Sequence, residues 1–185
     1  MLKQIVTETT DAVVAAIKGT DDIMTAITGT VKNQVVNVLK GTGEVATAGV
    51  DAVASVASGA MQAVGQVGAS ATTAAQEIVH GAIVGVSQTG GDVIGGVKDA
   101  VRGVVQGAAE AGGDVASVAV AAVEGAIKAA GEVGADTALA AKAAVGSALD
   151  AAGDAGDKVR SGLLSAAALP RDVIESAIKG HDEKK

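Results

Sequence analysis

Apolar and polar positions recur along this chain with a period of 22 residues. Units cover 19–40, 41–62, 63–84, 85–106, 107–128 and 129–150, and a decayed seventh covers 151–172. Polar side chains fall near unit positions 4, 8, 11, 15, 18 and 22. In the unit 107–128 these are Glu110, Asp114, Ser117, Glu124 and Lys128, with Ala121 the exception. Steps of three and four put one polar residue per helical turn on one side. Opposite lie Ala108, Val115, Ala119, Ala122, Val123 and Ala126. The pattern therefore predicts helices with a narrow polar stripe and a wide apolar arc. Twenty-two residues are six turns at about 3.67 residues per turn, a period that keeps one face in register on a helix.

Several columns agree on the period. One reads Ile17, Leu39, Met61, Ile83, Val105, Ile127, Leu149, all large aliphatic residues. A second reads Val13, Val35, Ala57, Val79, Val101, Val123, Val145. A polar column reads Asp22, Glu44, Gln66, Gln88, Glu110, Glu132, Asp154. Two glycine columns, Gly59, Gly81, Gly103, Gly125 and Gly68, Gly90, Gly112, Gly134, Gly156, read as small residues that let helices approach closely. Residues 1–18 end in phase, as a partial unit.

The predicted fold class is all-α: long amphipathic helices from a Gly/Ala/Val repeat, either extended or folded as antiparallel hairpins in an oligomeric bundle. A continuous helix over 41–157 would run about 175 Å. The hairpin alternative puts turns at Gly43, Gly65, Gly131 and Gly153, with further glycine turns at Gly19, Gly41 and Gly90/Gly91. The pairs Gly91/Gly95 and Gly103/Gly107 have the spacing of close helix contacts. Pro170 opens a last short helix, 170–179, that Gly180 stops. Val and Gly would also suit a β-solenoid, but the polar stripe does not alternate and Ala is the best helix former.

Composition sharpens this picture. Ala (41), Val (29) and Gly (26) supply over half of the 185 residues, against 20 Leu, Ile and Met. Thirteen of those 20 lie in 1–40 and 158–185. The chain thus divides into a Leu/Ile-richer N-terminal docking segment (1–40), an Ala/Gly/Val repeat region (41–157), and a C-terminal helical segment with a charged tail (158–185). Small side chains bury little area and each helical Gly costs roughly 1 kcal/mol against Ala. A lone chain of this kind is expected to draw stability from a second body: another copy, a protein partner or an apolar surface.

The absence of Cys, Phe, Trp and Tyr removes thiolate chemistry and aromatic stacking platforms. A net charge of −7 speaks against nucleic acid. His80 falls in a variable polar column and His181 in a charged tail, so neither reads as a metal ligand or catalytic group. Gly90-Gly91 and Gly95-Gly96 lack the Lys-Ser/Thr of a phosphate loop. Asp154 and Asp157 read as a solvated face. No catalytic residue, cofactor or metal site is predicted. The uncharged stretch 52–76 lacks the Leu, Ile and Phe of a membrane span, and Glu8 and Asp11 interrupt any secretory signal. The expected location is cytoplasmic, or peripheral on a membrane or granule.

The 22-residue amphipathic repeat resembles those of exchangeable apolipoproteins, synucleins, perilipins and some desiccation-protective proteins. The stretch EIVHGAIVGVSQTGGDVIGGVKDAVRGVV, 77–105, is similar in texture to the synuclein repeat region. The resemblance implies a helical coat on a lipid surface. It departs in charge: the Lys pairs flanking the synuclein apolar face are missing, and no Lys or Arg occurs between Lys40 and Lys98. That directs the expectation to a neutral apolar surface or a protein partner. The leading expectation is a non-enzymatic coat of a lipid droplet, storage granule or neutral membrane. The alternative is a self-assembling helical scaffold, a homo-oligomer that packs its apolar faces together and docks a partner enzyme or carries apolar small molecules.

Overall fold

The computed structural model describes residues 2–18, 22–41, 48–166 and 169–183. It is all-helical: α1 (Leu2–Lys18), α2 (Ile23–Gly41), α3 (Ala48–Val67), α4 (Ala71–Gln88), α5 (Val93–Glu110), α6 (Val115–Glu132), α7 (Thr137–Ala151), α8 (Gly156–Ser165) and α9 (Arg171–Asp182). A short 3-10 turn, Gly153–Ala155, leads into α8. No strand occurs among the described residues.

Helices α4 to α7 begin 22 residues apart, at 71, 93, 115 and 137. The period is spent differently from a continuous helix. Each of α4, α5 and α6 takes 18 residues, five turns, and four residues make the turn to the next. The extended alternative is thereby corrected, because the repeat region breaks at every unit.

One turn chemistry makes the breaks. Gly68, Gly90, Gly112 and Gly134 carry φ of +70°, +72°, +72° and +77°, the left-handed conformation that L side chains avoid. The amides of Gly91, Gly113 and Ala135 then donate back to the carbonyls of Val86, Ala108 and Ala130 at 3.1, 2.8 and 2.8 Å. This is the six-to-one bond that closes a helix C-terminus. Two residues after each turn glycine comes the next helix's cap: Ser70, Asp92, Asp114, Asp136. Asp114 Oδ1 accepts from the amides of Ala116 and Ser117 at 3.1 and 3.3 Å, and Asp136 Oδ1 from Ala138 and Leu139 at 2.9 and 3.0 Å. The Ser117 hydroxyl, donating to Oδ2 at 2.7 Å, holds the Asp114 carboxyl below its usual range.

Gly65 and Gly131 therefore lie inside α3 and α6 rather than at turns, while Gly153, at φ +50°, does turn. Gly41 is the last residue of α2. Gly19, Gly43 and Glu44 lie outside the described residues. Pro170 stands at the cap position before α9, and that helix runs through Gly180 to Asp182.

Each helix packs on the next and, more extensively through most of the chain, on the helix two along. The result is two rows: α1, α3, α5, α7 and α9 in one, α2, α4, α6 and α8 in the other. Helices within a row are parallel. Gly103 and Gly107 of α5 lie over Ala54 and Ser58 of α3, and Gly81 and Gly85 of α4 over Thr28 and Lys32 of α2, so both sequences advance together. A helix inside such a stack has neighbours on three sides, which explains the wide apolar arc. In α4, nine residues from Ala74 to Val86 are buried.

A single core runs from Val13 of α1 to Ile178 of α9 and joins all three sequence segments. The second body that the composition calls for is supplied largely by the chain's own neighbouring units.

Candidate functional site

The apolar columns lie within this core. Val13, Val35, Val79, Val101, Val123 and Val145 are fully buried. Ile17, Leu39, Met61, Ile83, Val105 and Leu149 are buried, while Ile127 is partly exposed. The polar column lies outside: Gln66, Gln88, Glu110, Glu132 and Asp154 are exposed. Asp22 stands before α2 and accepts from the Thr25 amide and hydroxyl at 3.1 and 2.7 Å.

The two glycine columns separate into two roles. A Cβ on Gly59 or Gly103 would collide with the carbonyl oxygens of Val6 and Ala54. One on Gly81 would come 2.6 Å from Thr28 O, and one on Gly125 2.8 Å from Gln76 Cα. These four set the contact between helices of one row. Gly68, Gly90, Gly112 and Gly134 do not pack closely: a Cβ there meets nothing within 4 Å, and their role is the left-handed turn. Gly156 has neither role, being the first residue of α8 with open space around its Cα. Of the two spaced pairs, Gly103/Gly107 faces α3, whereas Gly91 and Gly95 face only their own turn. The turn glycines carried a signal of their own, a Ser or Asp two residues later.

Polar side chains bridge helices of the same row. In the even row Thr28 Oγ1 donates to Glu77 Oε2 at 2.6 Å and Gln76 Nε2 to Glu124 Oε2 at 3.0 Å. His80 Nε2 lies 2.7 Å from Glu132 Oε2. In the odd row Gln62 Nε2 donates to Glu110 Oε2 at 2.6 Å and Arg102 Nη2 to Asp51 Oδ1 at 3.1 Å. Partners are 48–52 residues apart, two units plus about one or two helical turns. His80 is thus a rung of a surface ladder.

Asp99 is the one buried ionisable residue among those described, at 4 % exposure. Burial pushes its carboxyl up to about 7, against the pull of Arg102, whose Nη2 lies 3.3 Å from Oδ1. Asp51, Lys98 and Asp92 also act on it by charge. Arg102 and Asp51, with Lys3, Thr7 and Gln106, line a groove of 570 Å³ across α1, α3 and α5.

His181 is placed differently from the solvated tail residue expected. It belongs to α9, its side chain is 10 % exposed, and Nε2 lies 2.7 Å from Asp150 Oδ1 on α7. Its Nδ1 is buried without a hydrogen-bond partner. It lines a second, larger groove of 750 Å³ between α5, α7 and α9.

Among the described residues no group of three or more His, Asp or Glu side chains is gathered as metal ligands would be. No described helix is long and apolar enough to cross a membrane. No family model matches the chain, and no curated protein matches it.

Proposed function

We propose that the protein is a non-enzymatic helical scaffold: a preformed stack of short helices that holds its apolar faces together and presents a polar, laddered surface for a protein partner. The observation that carries this reading is the burial of both apolar columns inside one chain. A coat protein needs its wide apolar arc free to lie on lipid. Here that arc is consumed by the neighbouring helices on three sides. The hydrogen bonds and ion pairs between helices of one row favour a fixed surface over one that opens on contact with oil. The assembly of apolar faces takes place between units of the chain, so the scaffold does not depend on other copies for its core.

The test is far-UV circular dichroism at two protein concentrations, without and with a neutral lipid emulsion, alongside sedimentation equilibrium. The expected result is strong helix and cooperative unfolding in buffer at both concentrations, unchanged by the emulsion. A weak signal in buffer that turns helical on the emulsion would establish the coat instead.

A further inference from the structure

The regular stack first lapses at α7, and a groove lies there. Gly59, Gly81, Gly103 and Gly125 each bring a helix onto the backbone of the helix two before it. The next member of that column is Ser147, on α7. Gly103 lies over Ala54; two units later the corresponding pair is Ser147 and Lys98. The second close glycine, Gly107 over Ser58, is likewise replaced by Ala151. α7 carries these side chains where α5 carries glycines, and it packs on α5 less extensively than α5 packs on α3. Ser147 and Lys98 both line the 750 Å³ groove between α5, α7 and α9. That volume lies within the range of about 300–1,000 Å³ usual for small-molecule sites.

The lining has two characters. Leu139, at 52 % exposure, is the exposed large hydrophobic among the described residues, and Ile94 lies beside it in the groove. Each of the three helices also contributes a lysine: Lys98 from α5, Lys142 from α7 and Lys179 from α9. None of the ion pairs among the described residues uses a lysine. Two carboxylates line the same groove, Asp150 and Glu183, and Asp150 is held by His181 Nε2. In a chain of net charge −7, this lining brings three lysines against two carboxylates beside an apolar wall.

We propose that this groove binds a free, monomeric anionic amphiphile: a medium-length apolar chain, lying along Leu139 and Ile94, that ends in a carboxylate among Lys98, Lys142 and Lys179. Charge complementarity selects the head group and the unpacked space left by Ser147 takes the chain.

The experiment is an amide chemical-shift titration of the full chain with decanoate, acetate and decyltrimethylammonium, each below its micelle concentration. Decanoate is expected to shift residues of α5, α7 and α9 saturably, while acetate and the cationic amphiphile do not. Lys98→Gln with Lys142→Gln should raise the decanoate Kd at least tenfold. Leu139→Ser should raise it too, with circular dichroism confirming the fold of each variant. If the double variant fails to fold, Lys142→Gln alone, on an exposed side chain, carries the test. Equal binding of the cationic amphiphile, shifts spread over α1–α4, or a decanoate affinity indifferent to the lysines would overturn the assignment. So would saturation by acetate alone, or binding only to vesicles of phosphatidylglycerol with decanoate inert.

Discussion

The middle of the stack and its C-terminal end are held together in opposite ways. From α3 to α6 the helices meet backbone on backbone, through Gly103 on Ala54, Gly107 on Ser58 and Gly125 on Gln76. At the C-terminal end the core is filled instead by Val159, Leu163, Leu169, Ile174 and Ile178, mostly larger side chains, all buried. Close approach multiplies weak dispersion contacts, so Ala and Val suffice for a core. At the end, where the glycine column has lapsed into Ser147 and Leu169, transfer of larger side chains from water takes over. The uneven distribution of Leu and Ile along the sequence reflects this change of packing mode. The middle, short of large side chains, draws its contacts from close approach instead.

The difference can be broken from either side. The largest effect expected is on the pH dependence of the close-packed half. The Asp99 carboxyl is raised from 3.8 to about 7 in the folded chain. A raised acid binds more protons folded than unfolded, so its contribution favours folding below pH 4 and is lost as pH climbs through 7. Comparing urea unfolding of the wild type and Asp99→Asn at pH 4 and pH 8 should show a difference on the order of 3–4 kcal/mol, with the variant relatively more stable at the higher pH. Equal slopes in the two proteins would show that α3 and α5 do not exclude water from Asp99.

Removing methyls should hurt the C-terminal end most. Leu163→Ala, at 1 % exposure, is expected to cost about 3 kcal/mol in the same assay. Adding one should hurt the middle: Gly103→Ala forces a Cβ onto the Ala54 carbonyl and should cost about 2 kcal/mol. Its control is Gly146→Ala on α7, where a Cβ meets nothing within 4 Å. That change should stabilise by roughly 0.5–1 kcal/mol, the ordinary helical preference for Ala. Should both glycine changes have the same sign, close approach is not what selects glycine in the column. The smallest loss is expected at a cap: Asp114→Ala removes two accepted amide bonds, about 1 kcal/mol, seen as a small fall in Tm.

The helical character was legible in the sequence, and the residues of the second apolar column, Val13 to Val145, are among those the core buries. Of the turns, Gly90 and Gly153 were legible too, but Gly68, Gly112 and Gly134 were not, for a definite reason. Eighteen residues are five helical turns, so an 18-residue helix and a four-residue turn keep every column in phase, as six uninterrupted turns of 22 would. Gly125 and Gly134 look alike in a column of letters, yet one meets a neighbouring backbone and the other reverses the chain. What separates them is Asp136, two residues past Gly134, placed to cap the next helix. The two grooves were beyond reach of the columns, because they depend on which unit lies against which. Ser147 is visible as a lapse in a glycine column, but only the row of parallel helices puts it opposite Lys98. His181 was misplaced for the same reason: its partner Asp150 is 31 residues away and on another helix.

The alternation of rows has a consequence for how such a chain can change length. Loss or gain of 44 residues, two units, would return every later helix to its own row and direction. Loss or gain of 22 would transfer each of them to the opposite row, and with them the C-terminal Leu/Ile cluster and the lysine-lined groove. Parity, more than length, is therefore what the two-row arrangement fixes: units added in pairs keep each later helix in its row, and a single unit moves it to the other.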